Sequence, residues 1–119
     1  MKSCEETYVN SLEQTLKVFG GKWKPIIIWI LFSNGIKRYG EIKKLLLGIT
    51  HKMLSQQLKE LEKDNIVYRK EYTQIPPKVE YSLTEKGESF VPILVNICEW
   101  GLENLDIPKE SKPEKVNLS

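Results

Sequence analysis

The sequence predicts a mainly α fold of the α+β class, in which helices precede and follow one two-stranded hairpin within a single domain. Three observations predict it. Apolar residues recur at helical spacing in the first nineteen residues and again in the stripe Leu54, Leu58, Leu61. The period drops to two between Ile66 and Leu83, and helical spacing returns from Phe90 to Leu105. With 119 residues, 40% hydrophobic and 29% charged, the chain has the balance of one folded domain. A domain of that size buries roughly two-thirds of its unfolded surface, so it needs no disulfide or metal staple. Residues 1–107 are assigned to the domain and 108–119, rich in Pro, Lys, Glu and Ser, to a flexible tail.

Leu12, Leu16 and Phe19, with Val9 and Val18 beside them, form the apolar stripe of a first helix that Gly20-Gly21 ends. A second helix runs from about Lys22 to Phe32, with Pro25 tolerated in its first turn, and closes at Ser33-Asn34-Gly35. Its run Ile26 to Phe32 is far shorter than the ~20 residues of a membrane helix and marks the central core helix. Glu41 to Leu47 gives a short third helix, with Ile42, Leu45 and Leu46 inward and Lys43 and Lys44 outward. After Gly48-Ile49, Thr50 caps a fourth helix that reaches about Asn65. Two strands follow, Ile66 to Tyr72 and Val79 to Leu83, joined by the proline-stiffened loop at Gln74-Ile75-Pro76-Pro77. Thr84 caps one final helix, with Pro92 in its early turns or kinking it.

A short helix, a turn holding a glycine, a longer capped helix and then a hairpin make a winged helix-turn-helix with a two-stranded wing. The terminal helices remain for dimerisation. Phe90, Ile93, Leu94, Ile97, Trp100 and Leu105, together with Leu12 and Leu16, are more apolar side chains than one small domain can cover, and they predict a twofold homodimer.

Net charge is only +2, but it is unevenly spread: Gly35 to Lys59 holds six Lys/Arg against Glu41 alone. Such a patch fits a nucleic-acid surface, and it also fits a solvated helix face. At about 100° per residue from Leu54, Lys52, Gln56, Lys59 and Lys63 lie opposite the leucine stripe, with Ser55 at the edge. Lys52, Ser55, Gln56 and Lys59 are side chains able to read base edges in a major groove, with Thr50 and His51 at the helix start. His51 lies nearer the buried stripe and either touches phosphate or packs. Arg38, Lys43, Lys44 and Arg69, with Gln74 and Lys78 at the wing, are candidates for the DNA backbone.

Other chemistry is poorly supplied. A single His, no Gly-rich phosphate loop and scattered carboxylates argue against an enzyme. Two cysteines without CxxC spacing argue against zinc and for a reducing compartment, so no cofactor or metal is expected and the cytoplasm is the expected location. The polar stretch Met1 to Asn10 is not a signal segment. The expected partners are double-stranded DNA and a second copy of the chain, with no membrane. Trp23, Trp29 and Trp100, if clustered, would offer a small-molecule effector a place between the DNA-binding core and the dimer helices. A winged-helix module that binds protein instead of DNA is the rival reading, and it lacks an apolar anchor on the fourth helix apart from Met53 at its margin.

Gly20-Gly21-Lys22-Trp23, Arg38-Tyr39-Gly40-Glu41-Ile42, the run from Gly48 to Glu62, the run from Pro76 to Gly87, and Glu99-Trp100-Gly101 occur in that order. Together they resemble the HxlR-type regulators of the MarR-like superfamily over roughly Leu12 to Leu105. The resemblance implies a bacterial DNA-binding regulator of transcription of winged-helix fold, dimeric through its terminal helices; the expected function is that of a repressor, with an activator as the open alternative, acting as a homodimer on a pseudo-palindromic operator. Family members that sense oxidants or electrophiles tend to carry a Cys where this chain has Asn10, counting back from Trp23. Cys4 lies six residues further out, in a segment expected to be mobile. It is either a redox thiol or an ordinary terminal residue, and Cys98 on the final helix is expected in the core or interface.

Overall fold

A computed structural model describes residues 3–108, which form α1 (Ser3–Phe19), α2 (Trp23–Asn34), α3 (Tyr39–Leu45), α4 (His51–Lys63), β1 (Val67–Tyr72), β2 (Lys78–Leu83), α5 (Glu85–Glu88) and α6 (Val91–Asn104). This is the winged helix-turn-helix order. The tail assignment falls, apart from Pro108, outside the described residues. Among the described residues no helix is long and apolar enough to cross a membrane.

The core is built around α2, whose Ile27, Ile28 and Leu31 are buried against Ile42 of α3, Leu54, Leu58 and Leu61 of α4, and Ile66 and Val67 at the start of the wing. The leucine stripe of α4 is thus the buried face that its spacing predicts. Leu45 does not join it. Helix α3 ends at Leu45, and Leu46, outside helical geometry, turns into the core in its place, so Leu45 is exposed and Leu46 buried.

Between α3 and α4 the chain reverses through Gly48, whose φ of 89° is disfavoured for a residue carrying a Cβ. Thr50 then caps α4 as its side chain accepts from the Met53 N–H at 3.1 Å. The helix stops at Lys63, short of the expected Asn65, because Asn65 itself takes a φ of 60°.

β1 and β2 pair antiparallel, from Val67 opposite Leu83 to Tyr72 opposite Lys78. A bridge not foreseen from sequence adds Lys37 to the sheet: its N–H donates to the Tyr81 carbonyl at 3.0 Å, and the Tyr81 N–H returns the bond at 2.8 Å. The wing is thereby tied to the entrance of α3.

The final helix is two pieces, not one. Pro92 has no N–H to donate and its ring excludes the carbonyl of Glu88, which is where α5 stops before α6 starts at Val91. α5 packs so close to the wing that a Cβ on Gly87 would collide with the Ile66 carbonyl oxygen. Phe19 at the end of α1 stacks on Phe90, with ring centroids 3.6 Å apart and planes within 3°. Otherwise α1 stands off the domain, with no buried residue along its length.

Candidate nucleic-acid interface

The outward face of α4 carries Lys52, Gln56, Lys59 and Lys63, all exposed, as the helical spacing predicts. Two flanks brace it. On one, Tyr39 of α3 places its hydroxyl 3.2 Å from Ser55 Oγ and 3.2 Å from His51 Nδ1, and donates to the His51 carbonyl at 3.1 Å. Ser55 is therefore half-buried and engaged, and His51, exposed, is held by Tyr39 instead of packing in the leucine stripe. On the other flank, Glu60 accepts from Lys24 of α2 at 2.6 Å and from Gln56 Nε2 at 3.3 Å. Lys24, followed in effect by the Gln56 amide, holds the Glu60 carboxyl below its ordinary 4.5.

The backbone candidates divide. Arg38 and Lys44 are exposed, while Lys43, expected outward, is half-buried. The Arg38 N–H donates to Glu41 Oε1 at 2.8 Å, so the one acid of the basic stretch is used in the helix cap. On the wing, Arg69 is paired with Glu71, which raises its affinity for the proton further, followed in effect by Tyr81. Lys78 lies 3.3 Å from Glu80 and 4.6 Å above the Tyr72 ring. The Tyr72 hydroxyl donates to Glu80 at 2.8 Å; this bond first, then Lys78, holds the Glu80 carboxyl low. Two of the three candidate wing residues thus have a carboxylate on the same strand, and the third, Gln74, is exposed at the tip. Lys70, exposed on β1 with its Nζ 4.9 Å from the centre of the Tyr72 ring, is a wing cation that the sequence pattern does not single out.

Between α4 and the wing lies a cleft of about 350 Å³ lined by Tyr39, Ser55, Leu58, Lys59, Glu62, Arg69 and Tyr81. Tyr39 and Tyr81 are additions to the surface expected from sequence. The Arg38-Tyr39-Gly40-Glu41 run is the available signal for Tyr39, but a tyrosine in the first turn of a short helix reads equally well as packing.

The candidate dimer residues also divide. Leu12, Leu16, Ile93, Ile97, Trp100 and Leu105 are exposed, Leu12 by 62% and Leu16 by 64%. Phe90, 8% exposed, is sealed in the protomer's own core by the Phe19 stack, and Leu94, 5% exposed and packed on α2, shows only an edge at the floor of an apolar hollow. Cys4 lies in the first turn of α1, a helix where a mobile segment was expected, and is exposed. Cys98, expected in the core or the interface, is not in the core: it is exposed in the protomer at the rim of that apolar hollow, of about 230 Å³ and formed with Pro25, Ile26, Trp29, Leu94 and Ile97. Of the three tryptophans only Trp29 lines this hollow; it is tilted against Phe32, and Trp100 is 60% exposed on α6.

A family model described as HxlR-like helix-turn-helix matches residues 18–109. The candidate regulatory protein MalR of Fusobacterium mortiferum is 62% identical over 97 residues, which cover 82% of this chain and 92% of MalR. The uncharacterized HTH-type transcriptional regulator YkvN of Bacillus subtilis is 54% identical over 89 residues, covering 75% of each. Among solved structures, the redox regulator HypR in its oxidized form superposes with a TM-score of 0.74 at 48% identity, over 82% of this chain and 99% of that one.

Proposed function

The chain belongs to the HxlR-like helix-turn-helix family and is a DNA-binding regulator of transcription; from that premise we propose that it acts as a homodimeric repressor on a pseudo-palindromic operator. The observation that carries this reading is the outward face of α4: four exposed polar or basic side chains, Lys52, Gln56, Lys59 and Lys63, on a helix braced from both flanks. In each protomer α4 enters a major groove, where Gln56 and Lys52 meet base edges and Lys59 completes the contact. Arg38, Lys43 and Lys44 hold the phosphates on one side, and Lys70 with Gln74 reaches for them from the wing. Thr50 serves as the cap that sets the entry of the helix, and Arg69 and Lys78 contribute their field while remaining paired.

Two protomers meet through α1 and α6. A helix of 17 residues with nothing buried is marginal in water by itself, so α1 needs a partner surface. Tyr8, Leu12 and Leu16 at four-residue spacing, and Ile93, Ile97 and Trp100 on α6, supply two unpartnered apolar faces for it. The hollow beside Trp29 is smaller than the roughly 300–1,000 Å³ of ordinary ligand pockets and is continuous with this face, so it belongs to the dimer seat and not to an effector site. Selection of bound sequences from random duplex DNA tests the reading. A dyad-related pair of half-sites is expected, and recovery of no enriched sequence would refute it.

A further inference from the structure

Lys24 is a buried cation, 7% exposed, on the central core helix, yet its charge is delivered to the DNA-facing helix. Its Nζ is 2.6 Å from Glu60 Oε1. The other carboxylate oxygen, Oε2, accepts from Gln56 Nε2 at 3.3 Å. A buried ammonium is stable only when paired, so Lys24 fixes Glu60 from behind. Gln56 and Glu60 are one helical turn apart on α4, and the fixed carboxylate has one oxygen left for the amide.

An ionised carboxylate only accepts hydrogen bonds, so the Gln56 amide facing it cannot flip: the nitrogen branch is turned to Glu60 and the carbonyl branch away. Adenine in the major groove presents N7 as acceptor and N6 as donor, whereas guanine presents two acceptors, N7 and O6. With one N–H committed to Glu60, the remaining N–H and the carbonyl of Gln56 match adenine. Guanine, which asks for two donors, would meet a carbonyl instead. Because Lys24 cancels the charge of Glu60, the acid can stand on this face with little repulsion of phosphate.

We propose that Glu60, anchored by Lys24, is a positioning residue that locks the Gln56 amide in the sense that reads adenine and rejects guanine in each operator half-site. The proposal rests on the reading of Gln56 as a base-contacting residue. It gives a role to an acid beside that contact, which the charge pattern alone marks as unfavourable.

The test uses the full chain and the operator obtained by selection from random duplexes, with the adenine facing Gln56 replaced by 7-deazaadenine, which lacks N7, or by guanine. The wild-type protein is expected to weaken by about tenfold on either replacement. Glu60→Gln, whose amide can donate to or accept from Gln56, frees the Gln56 amide to turn and is expected to distinguish adenine from guanine by no more than about twofold, while still weakening on 7-deazaadenine and binding random duplex at least as tightly as the wild type. If Glu60→Gln does not fold, the paired variant Lys24→Met/Glu60→Gln, which leaves no unpaired buried charge, replaces it with the same expectation. Glu60→Gln distinguishing adenine from guanine like the wild type, while Gln56→Ala does not discriminate, overturns the positioning role alone. Gln56→Ala discriminating like the wild type overturns the base contact and the positioning role together.

Discussion

The Tyr39 ring lies 5.8 Å from the His51 ring with planes within 6°, and its hydroxyl is 3.2 Å from His51 Nδ1. One side chain of α3 thereby grips the first turn of α4, and the same hydroxyl reaches Ser55 a turn later. The angle between the two helices of the DNA-binding unit is set here by hydrogen bonds as well as by the apolar core. Tyr39→Phe keeps the ring and removes the grip. It is expected to cost about 1 kcal/mol of stability in urea unfolding and to weaken operator binding more than random-duplex binding. Wild-type stability and wild-type selectivity together would show that water replaces the hydroxyl without consequence.

The proposed dimer depends on side chains that the protomer does not use. Leu12→Glu with Leu16→Glu puts charge on a face that is exposed in the single protomer, so the fold is expected to survive. Light scattering at micromolar concentration should give roughly twice the 13.9 kDa chain mass for the wild type and the single chain mass for the variant. A wild-type protein that scatters as a monomer would contradict the dimer.

Acid stability has a predicted sign. The Glu60 carboxyl is held below 4.5 by Lys24 first and Gln56 second. Its contribution is therefore present above the ordinary carboxylate range and is lost as pH falls through the lowered value, when protonation leaves Lys24 buried without its partner. Glu60→Gln is expected to show a smaller drop in urea midpoint between pH 7 and pH 3 than the wild type. Equal drops would mean that the Lys24 pair contributes nothing to the folded state.

Much of this was legible in the sequence where one period dominates. The leucine stripe of α4 fixed its buried face, and from it the outward set Lys52, Gln56, Lys59 followed by geometry alone. What was hidden depends on partners far apart in the chain. Nothing local marks Tyr39 as the clamp on His51 and Ser55, twelve and sixteen residues away, or Lys24 as the partner of Glu60. Leu45 and Leu46 were indistinguishable by spacing because the helix ends between them. Phe90 and Leu94 looked like interface only because the stack of Phe19 on Phe90 and the packing of α6 on α2 cannot be read from either helix by itself. The sequence shows the wing cations without their acids, since Arg69 with Glu71 and Lys78 with Glu80 pair along a strand face that appears only when the alternation is built.

Phosphate contacts should separate from base contacts by their salt dependence. Lys43→Ala, on the supporting helix, is expected to weaken operator and random duplex by a similar factor. It should also reduce the slope of log affinity against log salt by about 0.9 for each phosphate it leaves without its cation. An unchanged slope would remove Lys43 from the phosphate set.

Gln56→Ala tests the central claim, that the outward face of α4 reads bases, most directly. The side chain is exposed and points away from the leucine stripe, so circular dichroism should show an intact fold before binding is measured. The account predicts a loss of roughly 1–3 kcal/mol on the selected operator and a much smaller loss on random duplex. An equal loss on both, with the fold intact, would contradict it.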